Sequence, residues 1–302
     1  MEIIRIPRIM QDTCKKFLLK GRTIGYVPTM GALHEGHLSL IRRAKTENDI
    51  SAASIFINPL QFGPAEDLET YPRDMENDIL KLRNEEIDVL FLPDNNLMYP
   101  SGFLTYINVE TISEKLCGRF RPGHFSGVAT VVAKLFNIVN PTRAYFGQKD
   151  FQQAVIISKM TKDLNMDIET VVCPTIREND GLAMSSRNLY LNKEQRKAAP
   201  VIYRCLNKAS EAIKSGIINT EAIKESMSKL ISEEALITQI DYASVYDPET
   251  LDEIYEIQGE VLIAVAVRFG NIRLIDNMIV NLKGRWRNVP ESTRSNTGQF
   301  SK

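Results

Sequence analysis

Along the first 175 residues, short apolar runs alternate with longer stretches of helical period, and few folds accommodate that order. Residues 23–28 read as a strand. A glycine-containing loop leads from it into a helix over 36–48, where Leu40, Ile41 and Ala44 share one face. Residues 51–57 form the next apolar run. A helix follows from Asp74, with Met75, Ile79 and Leu82 at helical spacing, and then a strand over 87–92. Val128, Val131, Val132, Leu135 and Phe136 mark a strongly apolar helix. After it come a strand over 143–146, a helix over 150–164 and a strand over 168–173. Consecutive strands joined by helices are parallel, because the helix carries the chain back to the starting edge. The order predicts an α/β fold, a doubly wound parallel sheet with helices on both faces.

Two stretches fit no period. Residues 58–73 carry three prolines and a glycine, and residues 97–125 are irregular apart from a strand predicted at 105–109. Loops of this length in a compact domain are usually either functional or disordered. The pattern changes after Pro174. A helical region starts at Asn192 and runs to about Ile231 with a break near Gly216, and strand-like pieces follow at 240–246, 261–267 and 272–275. This predicts a Rossmann-sized domain over 1–175, a smaller C-terminal α+β domain over 176–283 joined through a hinge near 174–186, and a polar tail over 284–302.

Lys plus Arg number 37 and Asp plus Glu 38, a formal net charge of −1 over 302 residues. Such a chain has no overall basic field with which to hold nucleic acid or an anionic membrane surface. The longest unbroken apolar run, 261–267, falls far short of the roughly 20 residues of a membrane span. Arg5, Pro7 and Arg8 interrupt the N-terminus and no small-residue cleavage site follows, so no secretory signal is read there. Cys14, Cys117, Cys173 and Cys205 lie far apart with no C-x-x-C pair, as expected of reduced thiols in a cytoplasmic protein. The expectation is a cytoplasmic enzyme or binding protein for a small ligand. Only three histidines are present: His34, His37 and His124.

Residues 27–37 put two of them where a strand ends and a helix begins. Backbone N–H groups and the helix dipole at such a junction favour anions, and open α/β sheets bind ligands there. The spacing Gly31-x4-Gly36 is that of a P-loop. However, His37 and Leu38 stand where Lys and Ser/Thr would, and no G-x-G-x-x-G is present. What remains is two imidazoles at i and i+3, able to donate to phosphate oxygens and to stabilise charge on a leaving group. The glycines also suit ordinary turns and the histidines a structural role. H-x-x-H also fits half of a zinc site, although no third ligand of suitable type lies nearby.

Other segments carry similar double readings. Asn58 and Gln61 offer neutral donors and acceptors for hydroxyls and a carboxylate, or plain capping of a surface loop. Residues 119–127, with Arg119, Arg121 and His124, place cationic groups before the apolar helix, as a solvated basic turn also would. Residues 146–150 are a second strand-to-helix crossing. There Gly147 permits close backbone approach and Lys149 is a compact point charge, while Asp150 with Gln153 has the form of a capping box. On the hinge, Ser185, Ser186 and Arg187 supply two hydroxyls and a guanidinium that suit closure over a triphosphate, or a polar linker.

His34-Glu35-Gly36-His37 is similar to the H-x-G-H signature of nucleotidylyl transferases and class I aminoacyl-tRNA synthetases. The longer string over 28–38 resembles the pantothenate synthetase (pantoate–β-alanine ligase) family. Residues 56–63, 66–68 and 71–74 resemble that family's pantoate-side loop. Met184-Ser185-Ser186-Arg187 resembles the K-M-S-K-S loop that accompanies H-x-G-H. Gln148 departs from the Glu of many members. Past Asn188 the resemblance thins to 247–251 and 273–277.

The resemblance implies a Rossmann-like fold and an ATP-dependent condensation of pantoate with β-alanine through pantoyl adenylate, releasing pyrophosphate and AMP. It implies ATP contacts from Met30, Gly31, Ala32, Leu33, His34, Glu35, Gly36 and His37. Further ATP contacts would come from Gly147, Gln148, Lys149 and Asp150, and from Ile176, Met184, Ser185, Ser186 and Arg187. Of these, His34, His37, Lys149, Ser185, Ser186 and Arg187 would be catalytic. Gln61 and Gln153 would bind pantoate, and Asn58 and Arg121 would join them in binding pantoate and β-alanine. Mg²⁺ would arrive as the ATP complex, without protein ligands of its own, and the protein would be a homodimer through its N-terminal domain. A transferase that adenylates a phosphorylated acceptor is the alternative among enzymes, and an inactive nucleotide-sensing module the alternative outside them.

Overall fold

A computed structural model describes residues 1–64 and 66–281, so the polar tail over 284–302 lies outside the described residues. The chain opens with β1 (Glu2–Ile4) and α1 (Pro7–Leu18). The sequence pattern does not announce either, since β1 is three residues long and α1 buries only Met10 and Cys14. Then β2 (Ile24–Thr29), α2 (Glu35–Glu47), β3 (Ile50–Ile55), α3 (Met75–Asn84) and β4 (Val89–Phe91) follow the predicted alternation. Two short helices, α4 (Asn95–Met98) and α5 (Leu116–Phe120), lead to α6 (His124–Val139), β5 (Arg143–Gly147), α7 (Phe151–Asp163) and β6 (Glu169–Cys173).

The six strands form one parallel sheet in the order β1-β4-β3-β2-β5-β6. Both faces are covered. Ile24, Tyr26, Ile50, Ala52, Ala144 and Phe146 pack beneath α6, while Val27, Ala53, Ile55, Leu90 and Tyr145 pack against α2. Period-2 strands buried on both sides explain why their sequences are nearly all apolar. The order also fixes where a ligand can sit. From β2 the chain steps outward through β3 to β4 and then returns to place β5 on the other side of β2. The switch point therefore lies between the C-terminal ends of β2 and β5.

The strand predicted at 105–109 is not formed. Ile107 instead donates its N–H to Thr130 Oγ1 (2.9 Å) and accepts from Ser126 Oγ (3.2 Å), so this stretch lies along α6 rather than in a ladder. After the hinge come α8 (Lys193–Ala198), α9 (Val201–Lys214) and α10 (Thr220–Ser232), then β7 (Gln239–Tyr246), β8 (Glu260–Phe269) and β9 (Ile272–Asn281). The last three form an antiparallel sheet in the order β7-β8-β9. On β8, Val261, Ile263, Val265 and Val267 face α9 and α10. Leu262 and Ala264 face the other way, onto Leu116 and Phe151 of the first part. The small sheet is thus buried on both sides, which accounts for its unbroken apolar run. β9 extends six residues beyond the predicted end at Ile275, because Asp276 and Asn277 read as strand breakers yet are buried within it. No helix among the described residues is long and apolar enough to cross a membrane.

Candidate active site

The β2–α2 junction is a tight loop held from below. Gly31 (φ +87°) and Ala32 (φ +49°) both adopt left-handed backbone, which is unusual for alanine. Asp78, reaching across from α3, supplies the restraint: its carboxylate accepts from Ala32 N (2.8 Å) and Leu33 N (2.7 Å). A Cβ at residue 31 would stand 3.0 Å from that carboxylate, so glycine is needed for space as well as for φ. Lys81 caps the loop by donating to Leu33 O.

At the helix start the two histidines cap backbone N–H groups. His34 Nδ1 accepts from Gly36 N (3.2 Å), and His37 Nδ1 accepts from His34 N (3.3 Å), a capping box made of imidazoles. The rings lie 4.1 Å apart, and a Cβ on Gly36 would come within 2.9 Å of the His34 ring. The glycine of H-x-G-H is therefore the seat of the first histidine. Because each Nδ1 accepts, the proton of each neutral ring sits on Nε2, and neither Nε2 has a partner among the described residues. Burial, with the Lys149 charge nearby, lowers His34 to about 4. Burial and the adjacent His34 lower His37 to about 3. Both are neutral Nε2–H donors at pH 7.

Across the switch point, β5 ends in a 3₁₀ turn, Gln148–Asp150, that presents Lys149. The predicted capping box of Asp150 and Gln153 is absent, for the Asp150 carboxylate turns to the Lys149 ammonium (3.5 Å) and makes no cap bond. Burial pushes the Asp150 carboxyl up, yet the charges of Lys149 and Arg187 hold it below the usual carboxylate value. The Gln153 amide has no hydrogen-bond partner among the described residues. Both Lys149 and Gln153 line a cavity of about 470 Å³ between the two sheets, together with Arg121, Ser185, Arg187 and Asp276. Residues 176–184 form a small hairpin in which Met184 N donates to Ile176 O (3.0 Å), and Met184 lies against the start of α2. Beyond it, Ser185 Oγ accepts from Arg187 N (3.3 Å), Ser186 Oγ meets Tyr71 OH (3.1 Å), and the Arg187 guanidinium forks onto Asp67 (3.0 and 3.2 Å).

A second constellation is closed on itself. Asn58 Nδ2 donates to Gln61 Oε1 and Gly127 O, and its Oδ1 accepts from Leu60 N and Tyr99 OH. Its hydrogen-bonding capacity is full. The Gln61 amide donates to Met30 Sδ (3.1 Å). Arg121 forks onto Glu66 (2.6 Å from both Nε and Nη2) and donates through Nη1 to His124 Nε2 (2.9 Å). His124 Nδ1 in turn donates to Gln61 O (2.7 Å). Burial and the Arg121 charge lower His124 to about 4.

The family model of the pantoate–β-alanine ligases matches residues 2–279. This chain belongs to that family. A curated pantothenate synthetase of Thermodesulfovibrio yellowstonii is 59% identical over 280 residues, which cover 93% of this chain and 100% of that protein. One from Caldicellulosiruptor bescii is 52% identical over 283 residues, 94% of this chain and all of the other. Among solved structures, pantothenate synthetase from Thermus thermophilus superposes with a TM-score of 0.88 at 43% identity, covering 92% of this chain and 99% of that one. Pantoate–β-alanine ligase from Francisella tularensis, crystallised with β-γ ATP and β-alanine, gives 0.76 at 36% identity, with 92% and 97% covered.

Within this family frame, the histidine junction, the Lys149 turn and the hairpin over 176–184 lie together around the switch point. Two of the expected ligand-binding residues are held by protein groups. Asn58 has no group left for a ligand, and Arg121 is already engaged by Glu66 and His124, so both brace the pocket wall. Several residues that hold this region in shape carry no motif: Asp78 under the histidine loop, Asp67 opposite Arg187, and Gln152. The Gln152 side chain ties Cys117 N to the carbonyls of Ile112 and Lys115. Asp78 has one visible signal, a carboxylate in the apolar face of a helix, four residues before the buried Leu82. No group of three or more His, Cys, Asp or Glu side chains among the described residues is arranged to hold a metal ion.

Proposed function

We propose that this chain condenses pantoate with β-alanine, using ATP and passing through pantoyl adenylate. The observation that carries the reading is the pair of unpartnered Nε2–H donors of His34 and His37 at the switch point, with Lys149 in the turn that follows the neighbouring strand. Membership of the ligase family supports the choice of substrates, as does the Francisella tularensis relative crystallised with β-γ ATP and β-alanine. A carboxylate resists attack by an amine because its leaving group would be oxide, and adenylation supplies a better one. The pantoate carboxylate attacks the α-phosphorus in line, forming a C–O–P linkage while the bond to pyrophosphate breaks. The β-alanine amine then attacks the activated carbonyl and AMP departs.

Little covalent work falls to the protein, so positioning and charge stabilisation dominate. The triphosphate lies along loop 30–37 and turn 147–150, with Ile176, Met184, Ser185, Ser186 and Arg187 reaching from the hinge. His34, His37 and Lys149 take up the charge that develops on pyrophosphate. Gln153, with its free amide, and Gln61 hold pantoate, in a pocket that Asn58 and Arg121 shape. Mg²⁺ bound to the triphosphate supplies further neutralisation, as is usual for a cation held mainly by phosphates. Residues 1–175 carry the nucleotide and 176–283 act as the lid. Leu104 and Tyr106, 86% and 56% exposed in the unpaired stretch before α6, support a homodimer through the N-terminal part. Four buried, free cysteines support a cytoplasmic setting.

Incubating the purified chain with ATP, pantoate and β-alanine tests the proposal, with mass spectrometry of the products. Pantothenate and AMP in equal amounts are expected. Untouched ATP marks a transferase that requires a phosphorylated acceptor, and ATP binding without turnover marks a sensor. Either result overturns the reading.

A further inference from the structure

Residues 273–277 resemble the ligase family in sequence yet take no part in the chemistry above. In the structure they are the middle of β9, and two consecutive polar residues there are buried, Asp276 at 3% and Asn277 at 5% exposure. Neighbours on a strand point to opposite faces, so the two grip different segments. Asn277 faces the large sheet. Its Nδ2 donates to both Gln148 O (2.9 Å) and Lys149 O (2.9 Å), and Gln148 Nε2 reaches its Oδ1 (3.5 Å). Asp276 faces the hinge, where its carboxylate takes both arms of Arg177, and it also accepts from Asn277 N (2.8 Å). Arg177 stacks on Tyr203 with its guanidinium carbon 4.3 Å from the ring centre. A continuous set of bonds thus runs from the hinge hairpin through β9 to the turn that presents Lys149.

Buried amides and carboxylates inside a strand are costly unless fully paired, and here nearly every bond made by these two leads to site-bearing backbone or hinge. We infer that Asn277 is a positioning residue. It fixes the backbone of the Gln148–Lys149 turn so that the ammonium meets the nucleotide phosphates, and through Asp276 and Arg177 it registers that turn against the hinge. The inference rests on the assignment of Lys149 to the phosphates. A lysine stem has four rotatable bonds, so its head is aimed only as well as its backbone anchor is held. Without Nδ2, two turn carbonyls lose their shared donor and the turn is free to shift.

The test is a double-mutant cycle on pantoate-dependent pyrophosphate release, using Asn277→Ala, Lys149→Ala and the pair. Asn277→Ser, which keeps one short donor, serves if the alanine variant does not fold. Asn277→Ala is expected to lower kcat/KM for ATP by about 10²-fold, the size of effect of a 1 Å misplacement, with KM for pantoate unchanged. On the Lys149→Ala background the further loss should fall below ~3-fold, because nothing remains to be aimed. Ser244→Ala, an equally buried change on β7 of the same sheet, should leave both constants unchanged. Full multiplicative losses on both backgrounds, in an active parent, overturn the inference alone. A parent that releases no pyrophosphate with pantoate, or an unimpaired Lys149→Ala variant, overturns the functional reading and the inference with it.

Discussion

Two polar constellations lie beside the switch point, and they are built on opposite plans. At the β2–α2 junction each imidazole commits one nitrogen to its own backbone and leaves the other unpartnered. In the wall built from Asn58, Arg121 and His124, each side chain is matched to protein groups, and His124 uses both ring nitrogens. Residue type does not separate them, since both place histidine at the start of a helix. The count of unmatched donors does. A satisfied buried network gives shape, whereas an unmatched donor aimed from a rigid seat is available for chemistry.

The sharpest way to break that distinction is to remove one histidine from each constellation. His37→Ala should lower kcat by about 10²–10³-fold, as expected for loss of one preorganised charge-stabilising donor, with the melting temperature little changed. His124→Ala should do the reverse. It strands Arg121 Nη1 and leaves Gln61 O only the long bond from Arg121 Nη2 (3.4 Å), at a cost of roughly 1–3 kcal/mol of stability, and it should lower kcat by less than about tenfold. Steady-state kinetics and thermal melts on both variants settle it. A kcat collapse in His124→Ala without a change in melting would mean that the closed wall is also reactive.

Much of this is legible in the residues. The alternation of periods gives the parallel sheet and its switch point, and H-x-G-H marks the junction. What the residues do not reveal is partner saturation. Asn58 and Gln153 are both amides in predicted pocket segments, and only the distances separate the one with four bonds from the one with none. Asp150 and Gln153 have the spacing of a capping box, but Lys149 competes for the carboxylate, an interaction between adjacent residues that a spacing rule ignores. The strand predicted for β9 stops at Ile275 because buried polar residues inside a strand break its pattern. Such violations mark places where a fold accommodates a site.

A pH series gives a gentler test of the same comparison. All three rings have their titration lowered from 6.5, to about 4 for His34, about 3 for His37 and about 4 for His124. Between those values and 6.5 the unfolded chain binds protons that the folded chain refuses. Stability from these rings is therefore fully present above 6.5 and is lost as pH falls towards 4. Melting temperature should decline over that range, and less steeply in His124→Ala. Because His34 and His37 stay neutral, kcat should show no histidine inflection between pH 6 and 8. An inflection near 6.5 that vanishes in His37→Ala would show that the charged ring acts instead.

The smallest expected effect concerns a third arrangement, intermediate between the two. Arg187 is neither free nor sealed in, for it forks onto Asp67 with both side chains about a quarter exposed. Partly exposed pairs of this kind contribute about 0.2–1 kcal/mol, little enough for a triphosphate to displace the carboxylate. Asp67→Asn removes the competing charge while preserving the shape of the loop. KM for ATP should fall by about 1.4- to 5-fold, the equivalent of that energy, with kcat unchanged. A rise in KM would mean that Asp67 presents Arg187 to the nucleotide rather than competing with it. The ion pair would then belong with the closed wall, and the unmatched donors of His34, His37 and Gln153 would be the whole of the open set.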